Sequence, residues 1–138
     1  MIRFLLDTDH ISLHERGHPP LRARFEALSP DSIAVSVVTV EEALRGRLAV
    51  LARRSAGEAR ERAYAKLMET VRFFGSIQVV HFDARCEQQY QALRSQRVRV
   101  GAQDLRIAAT VLAHGFTLVT RNRRDFARVP GLPIEEWS

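Results

Sequence analysis

Two incompatible chemistries share the stretch LLDTDHISLHERGH, residues 5–18. One is a carboxylate pair, Asp7 and Asp9, at the end of an apolar run. The other is the zinc-peptidase pattern H-E-x-x-H, spelled by His14, Glu15 and His18. The zinc reading needs both histidines on one face of a continuous helix, with the glutamate beside the metal as general base. Gly17 weakens such a helix, Pro19 drives His18 out of the helical region, and Pro20 blocks continuation. His10 precedes His14 by four residues, but no third ligand is evident nearby. The pattern therefore reads as a chance match at a helix end.

The carboxylates gain meaning from the elements that must carry them. IRFLL (2–6), SIAVS (32–36), IQVV (77–80) and FTLVT (116–120) are short, β-branched-rich apolar runs that read as buried strands, with a weaker one at 132–136. Helical patterns lie between them, at Pro20 to Leu28, Val37 to Arg54, Gly57 to Phe74, Asp83 to Gln96 and Gln103 to His114. Ser36 and Asp83 suit N-caps, Gly115 suits a C-cap, and Asp9 suits an N-cap for a first helix over His10 to Arg16. The RRSAG segment at 53–57 reads as a turn. Alternating strands and helices predict an α/β fold, a parallel sheet covered on both faces. Ligands of such sheets bind beyond the carboxyl ends of the strands. Asp7 directly follows the first strand, Glu42 lies on the helix after the second, Asp104 opens the helix leading to the fourth, and Asp125 follows that strand. Four acids from separate segments can thus meet at one edge, an arrangement tolerable if a divalent cation binds there. Oxygen ligands select Mg²⁺ or Mn²⁺ over zinc.

Charge points to a polyanion. The net charge of +5 comes with 20 arginines and a single lysine, Lys66. Residues 97–128 hold Arg97, Arg99, Arg106, Arg121, Arg123, Arg124 and Arg128 against Asp104 and Asp125, so seven minus two places all +5 in this segment. Guanidinium groups bind phosphate bidentately, and a metal with four acids beside such a patch suits attack of water on a phosphodiester. With 138 residues, one domain spanning 1–138 is expected. The absence of a membrane-length apolar run or secretory signal pattern predicts a soluble, cytoplasmic chain. The single Cys86 permits neither an internal disulfide nor a thiolate zinc site. On the second long helix, Tyr64, Leu67, Met68, Val71 and Phe74 form an apolar stripe that is expected to face the core rather than a partner.

FLLDTDHIS, SVVTVEEALRG (36–46) and GAQDLRIAATVLAHGFTLVTRNRRDF (101–126), in this order, resemble the PIN-domain ribonucleases, specifically the VapC-type toxins of toxin–antitoxin pairs. The resemblance implies a three-layer α/β/α sandwich on a five-stranded parallel sheet. It also implies an endoribonuclease dependent on Mg²⁺ or Mn²⁺, a cognate antitoxin that binds DNA, a homodimer and a toxin–antitoxin hetero-oligomer. By position, Asp7, Glu42 and Asp104 match three of the family's acids, Asp7 and Asp104 being the expected metal ligands. Asp125 is assigned as the fourth because Asn122 stands where an acid or Asn is usual. Thr8, Ser36, Thr120 and Asn122 would support by hydrogen bonds, and Arg106 and Arg121 are candidate RNA contacts.

A phosphatase of the haloacid dehalogenase type is the rival reading, with Asp7 as nucleophile and Asp9 as acid/base. It lacks a lysine near a strand end, since Lys66 lies within a long helix, and it lacks an acidic pair after a later strand.

Overall fold

The computed structural model describes residues 1–54 and 56–138, so Ser55 of the expected RRSAG turn lies outside the described residues. Five strands, β1 (Phe4–Leu6), β2 (Ile33–Ser36), β3 (Gln78–Val80), β4 (Thr117–Val119) and β5 (Ile134–Glu135), form one sheet in the order β3-β2-β1-β4-β5. Every pairing is parallel, with Leu5 opposite both Ala34 and Leu118. Seven helices connect the strands among the described residues: α1 (Thr8–Glu15), α2 (Pro19–Ala27), α3 (Val37–Arg53), α4 (Gly57–Ser76), α5 (Ala84–Ser95), α6 (Ala102–His114) and the short α7 (Arg123–Phe126).

Successive strand side chains point to opposite faces, and here both faces are covered. Leu5, Ala34 and Leu118 pack with Tyr90 and Leu93 of α5 and Leu105 and Ala108 of α6. Phe4, Leu6, Ile33, Val35 and Val119 pack on the other side with Ile11 and Leu13 of α1, Leu21 of α2 and Phe74 of α4. The expected three-layer sandwich follows from these two cores. Leu5 and Leu6 are wholly buried, each worth about 1.5–3 kcal/mol relative to exposure.

The sheet order reverses at its centre. From β1 the chain crosses to β2 on one side, and it later returns to β4 on the other. This switch point opens a crevice at the carboxyl ends of β1 and β4. The Asp7 N–H extends the seam by donating to the Val119 carbonyl at 3.1 Å.

The caps explain where most helices begin. Ser36 Oγ accepts from Val38 N–H at 3.0 Å, and Asp83 Oδ1 accepts from Cys86 N–H at 3.1 Å, as their positions predict. Gly115 closes α6 at φ 74°, a left-handed conformation suited to glycine. The first helix differs from expectation. Its N-cap is Asp7, whose Oδ1 accepts from His10 N–H at 3.1 Å, so Asp9 stands within the first turn and caps nothing. A cap accepts from the residue two or three positions later, which places Asp7 and not Asp9 at the start of this turn. The apolar stripe of α4 also differs. Tyr64, Met68 and Val71 are about half exposed, and the buried positions are Ala63, Thr70 and Phe74. Of the expected stripe Phe74 reaches the core and Leu67 is half-buried, while the other three members face outward, so periodicity identified the stripe but not how much of it is covered.

The H-E-x-x-H pattern straddles a break. Gly17 sits at φ 69° and ends the turn after α1, while His18 is the N-cap of α2. His14 stacks on Phe25 with ring centroids 4.4 Å apart, and Glu15 accepts from Arg47 at 3.1 Å. Burial and the neighbouring Arg22 hold the His14 imidazole below its usual range.

Candidate functional site

Four chain segments bring oxygen ligands to the crevice. Asp7 arrives from the end of β1, Glu42 from the second turn of α3, Asp104 from the first turn of α6 and Asn122 from the loop after β4. Together with Thr8, Asp9 and Phe126 they wall one cleft. Glu42 reaches it because Ser36 starts α3 at the strand end, which turns a residue two turns later back over the sheet. Thr8 and Glu42 also line an adjoining groove that runs along α3 past Arg47 to Thr70 of α4.

Asp7 is the most constrained of the acids. It is 5% exposed. Thr120 Oγ1 donates to its Oδ2, and the backbone N–H of His10 donates to its Oδ1. Thr120 in turn accepts from Asn122 N–H at 2.9 Å, which ties the β4 loop to the β1 acid. Thr8 Oγ1 donates to Glu42 Oε1 at 3.2 Å. Ser36 is fully buried as the α3 cap and does not line the cleft, so it supports Glu42 through the helix start.

Electrostatics fit an incomplete ligand set. Burial first, then the charges of Asp104, Glu41 and Asp7, push the Glu42 carboxyl above its ordinary range, against the Thr8 hydrogen bond. Burial and the charges of Asp7, Asp125 and Asp9 raise Asp104 likewise. Carboxylates that resist ionisation beside one another are relieved by a divalent cation, and an all-oxygen donor set suits a hard one.

Asp125 stands one step back. Its Oδ2 accepts from Asn122 Nδ2 at 3.1 Å, its N–H donates to Asn122 Oδ1 at 3.4 Å, and Asn122 rather than Asp125 lines the cleft. Its charge still acts on Asp104. Replacing Asp125 by Asn removes that charge and keeps the shape, so divalent-cation binding at the cleft should weaken by about 10-fold. A loss as large as that of an Asp7 variant would make Asp125 a direct ligand.

The arginines divide. Arg121 is exposed and directly follows Thr120. Arg106 is half-buried, donating to Gln103 Oε1 at 2.5 Å and lying over the Tyr90 ring at 5.3 Å.

Two further residues near the acids stand outside the set of site residues expected from the sequence. Asp9 is exposed on the cleft wall. His10 is wholly buried with Nδ1 3.2 Å from Asp7 Oδ1. The available signal was its place three residues after Asp7, which puts it over a capping acid on the first helical turn.

Away from the cleft, Asp83, Cys86 and His114 also hold ligand atoms within 4.8 Å of one another. Their surroundings oppose a cation. Arg85 Nη2 lies 3.5 Å from His114 Nδ1, Asp83 is already engaged as a cap, and burial pushes the Cys86 thiol up, keeping it protonated.

Comparison with known proteins identifies the family of the chain. Residues 4–132 match the PIN domain family model. The chain is 31% identical to the tRNA(fMet)-specific endonuclease VapC of Shigella flexneri, with 100% of each chain covered. It is 28% identical to the protein of that name from Salmonella typhimurium, with 99% of each covered. Among solved structures, the DNA-bound VapBC of Salmonella typhimurium superposes with a TM-score of 0.80 at 27% identity, covering all of both chains.

Proposed function

The chain belongs to the PIN domain family, and from that premise we propose that it is the endoribonuclease toxin of a toxin–antitoxin pair, a single-domain cytoplasmic protein acting on structured RNA. The observation that carries the reading is the convergence of Asp7, Glu42 and Asp104 on one cleft at the sheet's switch point. Asp7 and Asp104 would hold a Mg²⁺ or Mn²⁺ ion, with Glu42 beside them. When bound, such an ion acidifies a water and offsets charge at the phosphate. Thr120 and the backbone of His10 orient Asp7, Thr8 orients Glu42, and the Asn122–Asp125 pair shapes the opposite wall. Exposed arginines, Arg121 foremost, hold the RNA backbone.

The partners follow the same reading. Among the solved relatives, VapBC of Salmonella typhimurium and VapBC2 of Rickettsia felis are bound to DNA, and one from Klebsiella pneumoniae is a toxin–antitoxin complex. Exposed Leu48, Tyr64, Met68 and Val71 offer apolar surface of the kind that a protein partner covers. The antitoxin and a second copy of the toxin are its expected occupants. The phosphatase reading finds no support in the matched relatives, which are named as endonucleases and ribonucleases.

Purified protein incubated with tRNA should cleave it in Mg²⁺ or Mn²⁺ and stop when EDTA is added. RNA affinity should fall by about 0.7 log unit per log unit of salt for each phosphate neutralised. Cleavage unaffected by EDTA, or hydrolysis confined to small phosphomonoesters, would overturn the assignment.

A further inference from the structure

Taking Asp7 as a metal-holding acid, as proposed above, we propose that His10 is a positioning residue that fixes the rotation of the Asp7 carboxylate. The His10 side chain is 0% exposed, and its Nδ1 lies 3.2 Å from Asp7 Oδ1. A carboxylate oxygen only accepts, so Nδ1 carries the hydrogen and donates. The same oxygen takes the His10 backbone N–H, and the other takes the Thr120 hydroxyl. Both oxygens are therefore held from the protein side, and the carboxylate has little freedom to turn. Three of its about four lone-pair sites are thus taken, which leaves one on Oδ2 for the cleft that Asp7 shares with Glu42 and Asp104.

The other ring nitrogen shows what this arrangement costs. His10 Nε2 is buried and meets no hydrogen-bond partner among the described residues. A polar atom left unpaired in the interior destabilises the fold, and an apolar side chain of similar size would avoid the penalty. For stability alone, leucine would serve position 10 better, since the neighbouring Ile11 and Leu13 already anchor α1 in the core. The imidazole adds what leucine lacks, a second donor on Asp7 Oδ1. Partners that hold metal ligands are set to restrict their rotation, and their loss weakens metal affinity by about 10–100-fold.

The test is Mn²⁺ binding to the full chain, read from the electron paramagnetic resonance of free Mn²⁺, alongside thermal unfolding without metal. The variants are Asp7→Asn, His10→Leu and His10→Asn, the last placing an amide N–H near the position of Nδ1. Asp7→Asn should abolish binding at the cleft. His10→Leu should weaken Mn²⁺ binding about 10-fold or more with an unfolding temperature equal to or above that of the parent. His10→Asn should recover most of the affinity even if it unfolds earlier. A purely structural histidine would give the reverse pattern, with affinity tracking stability. Wild-type affinity in His10→Leu, or no recovery in His10→Asn, overturns the proposal while Asp7→Asn still upholds the metal site. Undiminished Mn²⁺ binding by Asp7→Asn overturns both.

Discussion

Replacing Asp7 by asparagine should lower RNA cleavage by about 10³-fold or more and leave the fold intact. The activity term follows from charge. A cation held at this cleft would contribute several kcal/mol of charge stabilisation, and each ~1.4 kcal/mol is tenfold in rate. The stability term follows from capping. Asp7 is the N-cap of α1, and asparagine caps about as well as aspartate, whereas alanine would cost about 1 kcal/mol as well. The amide retains an acceptor for the His10 N–H, so loss of activity without loss of unfolding temperature identifies the charge as the functional element. Cleavage by Asp7→Asn within a few-fold of the parent would remove Asp7 from the site.

The second large effect is the dependence of stability on pH and metal. Glu42 and Asp104 both have raised folded-state pKa values. Between the ordinary carboxylate range and those raised values, the folded chain holds protons that the unfolded chain has released. Stability of the metal-free protein therefore falls as pH rises through this window, and the contribution is fully present only below it. A divalent cation competes with these protons, so its stabilising effect should grow across the same window. Thermal unfolding from acidic to neutral pH, with EDTA and with Mg²⁺, measures both trends. The pair Glu42→Gln and Asp104→Asn should gain stability over the parent as pH rises in EDTA, and should lose the Mg²⁺ effect. A parent-to-variant difference that stays flat with pH would contradict the raised values.

Much of this site was legible as sequence because its acids lie next to strand ends. Asp7 after IRFLL and Glu42 two turns beyond the Ser36 cap are local relations, set by a strand's end and a helix's period. The Asp83 and Gly115 caps were legible for the same reason. The residues that escaped notice depend on contacts between distant segments. His10 reads as one histidine among several until α1 is packed against the sheet, and only then is it buried on Asp7.

The type of the five strands and their succession along the chain, the two-sided burial of the sheet and the placement of Asp7, Glu42 and Asp104 at its edge were determined by the sequence itself. Apolar runs that must be buried on both faces leave few other arrangements. Tertiary structure decided the rest: Asn122 on the cleft wall with Asp125 behind it, Arg106 drawn onto Tyr90, and Tyr64, Met68 and Val71 of α4 turned outward while Phe74 enters the core. Periodicity states which residues of one element share a face. Which neighbour covers that face, and which oxygen a donor meets, depends on the sheet order and on residues far along the chain, as when Thr120 reaches back to Asp7.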